Sequence, residues 1–174
     1  MRLPLLLVLA ACSRPAAPPP ERARLEADWT GSDTGKLSGR ATAEWCDSLR
    51  VLEIRAVRGD SGVAVALYPA DSVVADSYPV LPPLRADSTP PAAAVGLRWF
   101  AETTVEGFRG DSGAVVVESA GSGGLSGRFL AHLRSVSGVG RLTLRGTFRD
   151  VPVVPAARGC VSDRSAEPAD SGID

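Results

Sequence analysis

From Trp29 onward, apolar and polar residues alternate with a period of two, which is typical of strands that bury one face. The first such segment runs from Leu37 to Trp45. Further strands are predicted over residues 48–57, 63–68, 78–81, 95–101, 114–118, 125–134 and 139–148. No segment carries an apolar stripe with a helical period over ten residues or more. The predicted fold class is therefore all-β, an antiparallel β-sandwich or a small closed β-barrel of about eight strands.

The pattern also divides the chain into segments. The predicted β domain spans residues 29–161 and ends in a polar, disordered tail over residues 162–174. Residues 12–28 are predicted to be a tether, because prolines cluster at positions 15–20 and favour an extended spacer. Within this tether, residues 21–27 have room for two helical turns at most.

The N-terminal segment reads as an export signal. Arg2 precedes a short apolar run that is far below the ~20 residues needed to cross a bilayer. The sequence Leu9-Ala10-Ala11-Cys12 resembles the lipobox of bacterial lipoprotein signal peptides. That resemblance covers only this segment. The alternative is an ordinary secretory signal with a chance cysteine at its end.

The lipobox resemblance implies removal of residues 1–11, diacylglycerol on the thiol of Cys12 and usually a third acyl chain on the new amino group. The expected location is the bacterial cell envelope, with the bilayer as a partner through acylated Cys12. Inner-membrane retention in this family typically shows Asp after the cysteine. Ser13 at that position therefore implies the outer membrane.

Two further cysteines, Cys46 and Cys160, remain once Cys12 carries lipid. An even pair in an exported chain predicts a disulfide between Cys46 and Cys160. The alternatives are two reduced thiols or a metal pair. A metal site is not predicted, because His132 is the sole histidine and no second cysteine lies at ligand spacing. No cofactor is predicted either.

Charge is distributed unevenly along a nearly neutral chain. The formal net charge of −1 gives no reason to expect a nucleic-acid partner. Residues 121–149, however, hold five arginines and no acid. In the predicted strands these arginines alternate with apolar residues, which places them on the outer face together with His132. The candidate anionic-ligand face consists of Arg128, His132, Arg134, Arg141, Arg145 and Arg149.

If the last two long strands form a hairpin, this face is a basic ribbon. Such a ribbon could bind lipid head groups or an anionic polymer of the envelope. The alternative is a solvated face that is balanced by carboxylates on neighbouring strands, such as Glu44, Glu53 and Glu118.

Two Gly-Asp-Ser-Gly segments, residues 59–62 and 110–113, resemble the nucleophile segment of trypsin-like serine proteases. That chemistry needs a histidine base oriented by a buried carboxylate. His132 follows both serines, and neither segment has the glycine context of an oxyanion hole. We therefore interpret both segments as hairpin turns and predict no catalytic residue. With the preceding arginine, each also spells the integrin-recognition tetrapeptide, which carries little weight in this composition.

These patterns predict a lipid-anchored envelope protein with a non-catalytic binding or structural role. A calycin-like carrier of a small apolar ligand is the second hypothesis, because eight strands can enclose one. An envelope hydrolase is the third. A filled core with a basic face favours binding at the surface, whereas a cavity lined by Val, Leu and Trp favours the carrier.

Overall fold

The computed structural model describes residues 23–101 and 103–156. Most of this part of the chain is β-structure, with one short helix. In chain order its elements are β1 (Arg24–Gly31), β2 (Gly35–Cys46), β3 (Val51–Arg58), β4 (Ser61–Tyr68), β5 (Ser77–Pro79), α1 (Pro83–Ser88), β6 (Ala92–Ala101), β7 (Thr104–Gly121), β8 (Gly124–Ser135), β9 (Arg141–Val151) and β10 (Val153–Pro155).

The eight long strands form a closed antiparallel barrel. Each of them pairs with the next long strand along the chain, from β1 through to β9. Strand β1 pairs with β2 on one side and with β9 on the other, which closes the sheet on itself. The prediction of an all-β antiparallel fold is confirmed, and of its two forms the structure has the barrel.

The two ends of the barrel differ. One end, here called the hairpin end, holds the short connections that follow β1, β3, β6 and β8. The other, here called the terminal end, holds the start of β1, the long connection between β4 and β6, and β10. Among the described residues, no helix has the length and apolar character needed to cross a membrane.

Alternation along the strands fills the barrel with apolar side chains. In β8, for example, Leu125, Phe129, Ala131 and Leu133 are at most 4% exposed, while Arg128, Leu130 and His132 face outward. No polar or charged residue among those described is buried. Each large side chain buried in this way stabilises the fold by about 1.5–3 kcal/mol, before the entropy of ordering is subtracted.

Aromatic rings pack over glycines on neighbouring strands. Trp29 pairs with Gly35, Phe129 with Gly146, and Phe148 with Gly127. A Cβ at any of these glycines would collide with the facing ring. At the hairpin end Trp99 stacks between Trp29 and Phe108, with ring centroids 5.7 and 5.2 Å apart. Because glycine leaves space that a ring fills, these pairs let the small barrel hold bulky side chains.

Strand β5 fills a gap between β6 and β7. These two strands pair near the hairpin end and then separate, and β5 pairs with β7 beyond that point. The Val80 N–H donates to the Gly113 carbonyl (2.9 Å), and the Leu81 N–H donates to the Ala93 carbonyl (2.9 Å). These two hydrogen bonds join the segment after β5 to β7 on one side of the gap and to β6 on the other.

Of the two Gly-Asp-Ser-Gly segments interpreted above as hairpin turns, only the first contains such a turn. The first segment does contain the predicted turn, formed by residues 59–60 between β3 and β4, and its Ser61 and Gly62 open β4. Residues 110–113, in contrast, lie inside β7 rather than in a hairpin. The pairing of β7 with β8 is irregular between Gly110 and Ser112, and Gly113 has a φ of +126°. The segment is a β-bulge where the strand changes partner, so its glycine and polar residues serve a bend within a strand.

The start of the domain is also corrected. Residues 24–28, assigned above to the tether, belong to β1. Leu25, Ala27 and Trp29 do alternate with charged residues, but the segment follows a proline cluster and is short. Its strand character depends on β2 and β9, which pair with it on both sides.

Cys46 ends β2 and is 6% exposed. Cys160 lies outside the described residues, so the disulfide stays a prediction. Strand β10 runs parallel to β2, and the Ala156 N–H donates to the Trp45 carbonyl (2.9 Å). The chain therefore passes beside Cys46 four residues before Cys160, a separation that spans at most about 14 Å.

A glycine substitution tests the packing of the barrel. We expect Gly146→Ala to lower the free energy of unfolding by about 1–3 kcal/mol, because the Phe129 ring and the Glu26 carbonyl occupy the space of the new methyl group. Gly121→Ala is the matched control, since nothing lies within 4 Å of its Cβ position. Urea denaturation followed by circular dichroism measures both. Equal stability of the two variants would contradict this account of the packing.

Removing Cys160 tests the disulfide. We expect oxidised protein to carry no free thiol at Cys46 or Cys160, and Cys160→Ser to lower stability by about 2–5 kcal/mol, as is typical for a small exported domain. Thiol titration under denaturing conditions and thermal melts with and without reductant provide the measurements. Two titratable thiols in exported wild-type protein would disprove the bond.

Candidate functional site

The six residues of the predicted basic face lie together on the outside of the barrel. Strands β8 and β9 pair antiparallel, with Arg134 opposite Arg141 and His132 opposite Thr143. All six side chains are exposed, and Leu130, which is 45% exposed, lies on the same face. Strand β8 carries Arg128, His132 and Arg134, and strand β9 carries Arg141, Arg145 and Arg149.

Carboxylates on the adjacent strands balance part of this face. Arg128 pairs with Glu118 and Arg134 with Asp111, both on β7. The Arg145 Nε lies 3.6 Å from Asp28 on β1. The arginine side chains of these three pairs are 57–62% exposed. Each pair therefore contributes no more than about 1 kcal/mol to the stability of the fold.

Two other carboxylates suggested by the sequence lie elsewhere. Glu44 and Glu53 both pair with Arg55, at 2.9 and 3.7 Å. Arg141 and Arg149 have no ion pair within the described part of the chain. The His132 Nδ1 lies 3.3 Å from the Thr143 hydroxyl. The face is therefore only partly neutralised.

A large groove lies on this side of the barrel. It has a volume of about 1160 Å³ and follows β1 between β2 and β9. Its charged lining consists of the cations Lys36, Arg58, Arg128, Arg145 and Arg149 and the carboxylates Glu26 and Asp28. Lys36 and Arg58 were not predicted from the sequence, because only closure through β1 brings β2 and the end of β3 toward β9.

A small cavity of about 300 Å³ brings Asp111, Ser112 and His132 together near the bulge in β7. Ser112 stands directly opposite His132 across the strands. Within the described residues no hydrogen bond joins these two side chains, and Asp111 is engaged by Arg134. An activated serine needs a hydrogen-bonded base. The described residues lack that link between Ser112 and His132, whose ring instead contacts the Thr143 hydroxyl.

A third cavity, of about 440 Å³, opens at the terminal end of the barrel. Its lining is largely apolar and includes Trp45, Leu52, Val73, Leu125 and Val153. The volume is within the range of small-ligand sites. It lies at the rim, however, because aromatic and aliphatic side chains occupy the barrel interior.

One tyrosine has a shifted pKa, and it lies away from the groove. Burial, followed by the charges of Asp87 and Glu53, raises the pKa of Tyr68 above its ordinary value. Its phenol therefore stays protonated at neutral pH and packs against the small apolar cluster around Ala86. Among the residues that the structure describes, no group of three or more His, Cys, Asp or Glu side chains could hold a metal ion.

Comparison with known proteins does not extend this picture. No protein-family model matches the chain, and no curated protein or solved structure matches it.

Proposed function

We propose that this chain is a lipid-anchored envelope protein whose barrel binds an anionic polymer of the envelope, without catalysing a reaction. The observation that carries the binding role is the outer groove, in which five cations face two carboxylates. The resemblance of residues 9–12 to a lipobox supports the anchor, and those residues lie outside the described part of the chain.

The spacing of the cations favours a polymer over a single small anion. Arg145 and Arg149 point outward from the same strand, four positions apart. At about 3.4 Å per residue, this separation is about 14 Å along the wall. A polymer with repeated phosphate, sulfate or carboxylate groups would contact both ends of the groove. Arginine suits such groups because its planar guanidinium donates two hydrogen bonds to one anion.

The apolar rim cavity supports a second candidate function, the carrier of a small apolar ligand. Trp45, Val73 and Leu125 would cover such a ligand at the terminal end. Because the interior is filled, the ligand would sit at the rim rather than deep in the barrel as in a calycin. The groove is preferred, since its charged lining gives it a defined ligand chemistry.

Substituting the lipidated cysteine tests the anchor. We expect Cys12→Ser to abolish fatty-acid labelling and membrane fractionation, because the thiol is the acylation site. Ser13→Ala is the matched control and should keep both. Metabolic labelling with palmitate followed by fractionation makes the comparison. Acylated, membrane-bound Cys12→Ser protein would overturn the lipoprotein assignment.

Neutralising the groove tests the binding role. We expect Lys36→Gln with Arg145→Gln to weaken binding of inorganic polyphosphate about fivefold or more, at ~0.5–1 kcal/mol for each exposed contact. The effect should shrink as salt is added, since the Debye length is only about 8 Å at physiological ionic strength. Titration calorimetry at low and high salt provides the measurement.

The matched control for the groove removes two charges from another wall. Arg98→Gln with Arg109→Gln changes exposed side chains on β6 and β7 that line a different outer groove. Polyphosphate binding by this variant should match that of the wild type. An equal loss in both variants would show that only the overall charge matters.

A further inference from the structure

Strand register places two further cations, Arg24 and Arg40, in line with Arg149 on the barrel wall. Arg24 on β1 lies opposite Arg40 on β2 and opposite Arg149 on β9. Their chain neighbours Leu25, Ala41 and Phe148 are at most 2% exposed and fill the interior. The three arginines therefore point outward side by side. We call Arg24, Arg40 and Arg149 the arginine row.

The side chains in this row lie close together. The Ala41 N–H donates to the Ala23 carbonyl (2.9 Å), which makes Ala23 and Ala41 a hydrogen-bonded pair. Arg24 and Arg40 are then a non-hydrogen-bonded pair, the type whose Cα atoms approach to about 4.5 Å. Like charges that face each other directly across two strands destabilise a sheet. The row thus costs the barrel stability.

Few carboxylates offset this repulsion. Glu26 lies 4.0 Å from the Nε of Arg24, and both side chains are more than half exposed. Within the described residues Arg40 and Arg149 form no salt bridge. Three adjacent guanidinium groups share one distant carboxylate, so an external anion would neutralise charge that the protein leaves unbalanced. Phosphate suits this site, because one guanidinium can donate two hydrogen bonds to it.

The position of the row indicates the source of that phosphate. Arg24 is the first residue of β1, at the terminal end of the barrel. It follows Cys12 by twelve positions, a separation that spans at most about 40 Å even when fully extended. If Cys12 carries lipid, the row lies within that distance of the bilayer surface.

We propose that the arginine row binds the phosphate groups of anionic phospholipids and holds the barrel with its terminal end against the membrane. This inference rests on the proposed anchor for the source of the phosphate. The row shares Arg149 with the groove along β1. The rest of that groove lies on the side wall, where it stays open to a polymer, and the hairpin end points away from the bilayer.

The test measures vesicle binding in the full chain with Cys12→Ser, so that acylation makes no contribution. Sedimentation compares vesicles of phosphatidylcholine alone with vesicles that also contain phosphatidylglycerol. We expect Arg40→Gln with Arg149→Gln to reduce binding to the anionic vesicles about ten- to thirtyfold, since each arginine near an anionic leaflet makes its own contribution to the binding free energy. Binding to neutral vesicles should not change.

Two further variants sharpen the result. Arg98→Gln with Arg109→Gln removes the same charge elsewhere and should bind anionic vesicles as the unsubstituted chain does. Arg40→Lys with Arg149→Lys keeps the charge and should retain most of the binding. Arg40→Gln should also raise the thermal midpoint, because it removes repulsion from Arg24; a lower midpoint would overturn the argument from repulsion.

Other outcomes separate this proposal from the function proposed above. If Arg98→Gln with Arg109→Gln lost as much vesicle binding as Arg40→Gln with Arg149→Gln, the row would be overturned as a lipid site. Equal binding of the unsubstituted row to both vesicle types would overturn it too. Full competition by millimolar inorganic phosphate would overturn the lipid source in favour of a free anion. Unchanged vesicle binding in Lys36→Gln with Arg145→Gln would support the row independently of the groove. If palmitate labelling fails while the row still binds, the anchor alone is wrong.

Discussion

The pairing of β1 with both β2 and β9 is the constraint on which the rest of this structure depends. It joins the first and last long strands and removes the open edges that would otherwise invite association with other strands. It also sets the diameter, because an eight-stranded barrel is just wide enough for side chains to fill. Ala27 and Trp29 on β1 are part of the core, so the strand that closes the wall also helps to fill the interior.

A filled interior moves the candidate functions to the outside. Trp29, Phe129 and Phe148 each lie over a glycine on the next strand, so their rings occupy volume that a ligand would need. The larger cavities are accordingly grooves on the wall and a pocket at the rim. The wall is suited to charged partners, because its outward positions carry most of the arginines while the inward positions are apolar.

Closure of the barrel also determines which charged side chains become neighbours. Arg24, Arg40 and Arg149 are far apart in the chain, and they share one row only because β1 lies between the other two strands. The same neighbourhood provides Asp28 for Arg145, whereas Glu44 and Glu53 are held by Arg55. The basic face expected from β8 and β9 is thus one part of a wider surface, partly neutralised on the β7 side and least neutralised near the start of β1.

The sequence by itself determined the all-β class, most of the strands, the turn between β3 and β4 and the outward direction of Arg128, His132 and Arg145, because alternation reports which face of a strand is buried. Only the tertiary structure decided that the sheet closes, that residues 24–28 form a strand and that residues 110–113 form a bulge. Those outcomes depend on pairing between segments distant in sequence, which a local pattern does not encode. Lys36, Arg58, Arg24 and Arg40, unlike Arg149, were not predicted from the sequence for the same physical reason.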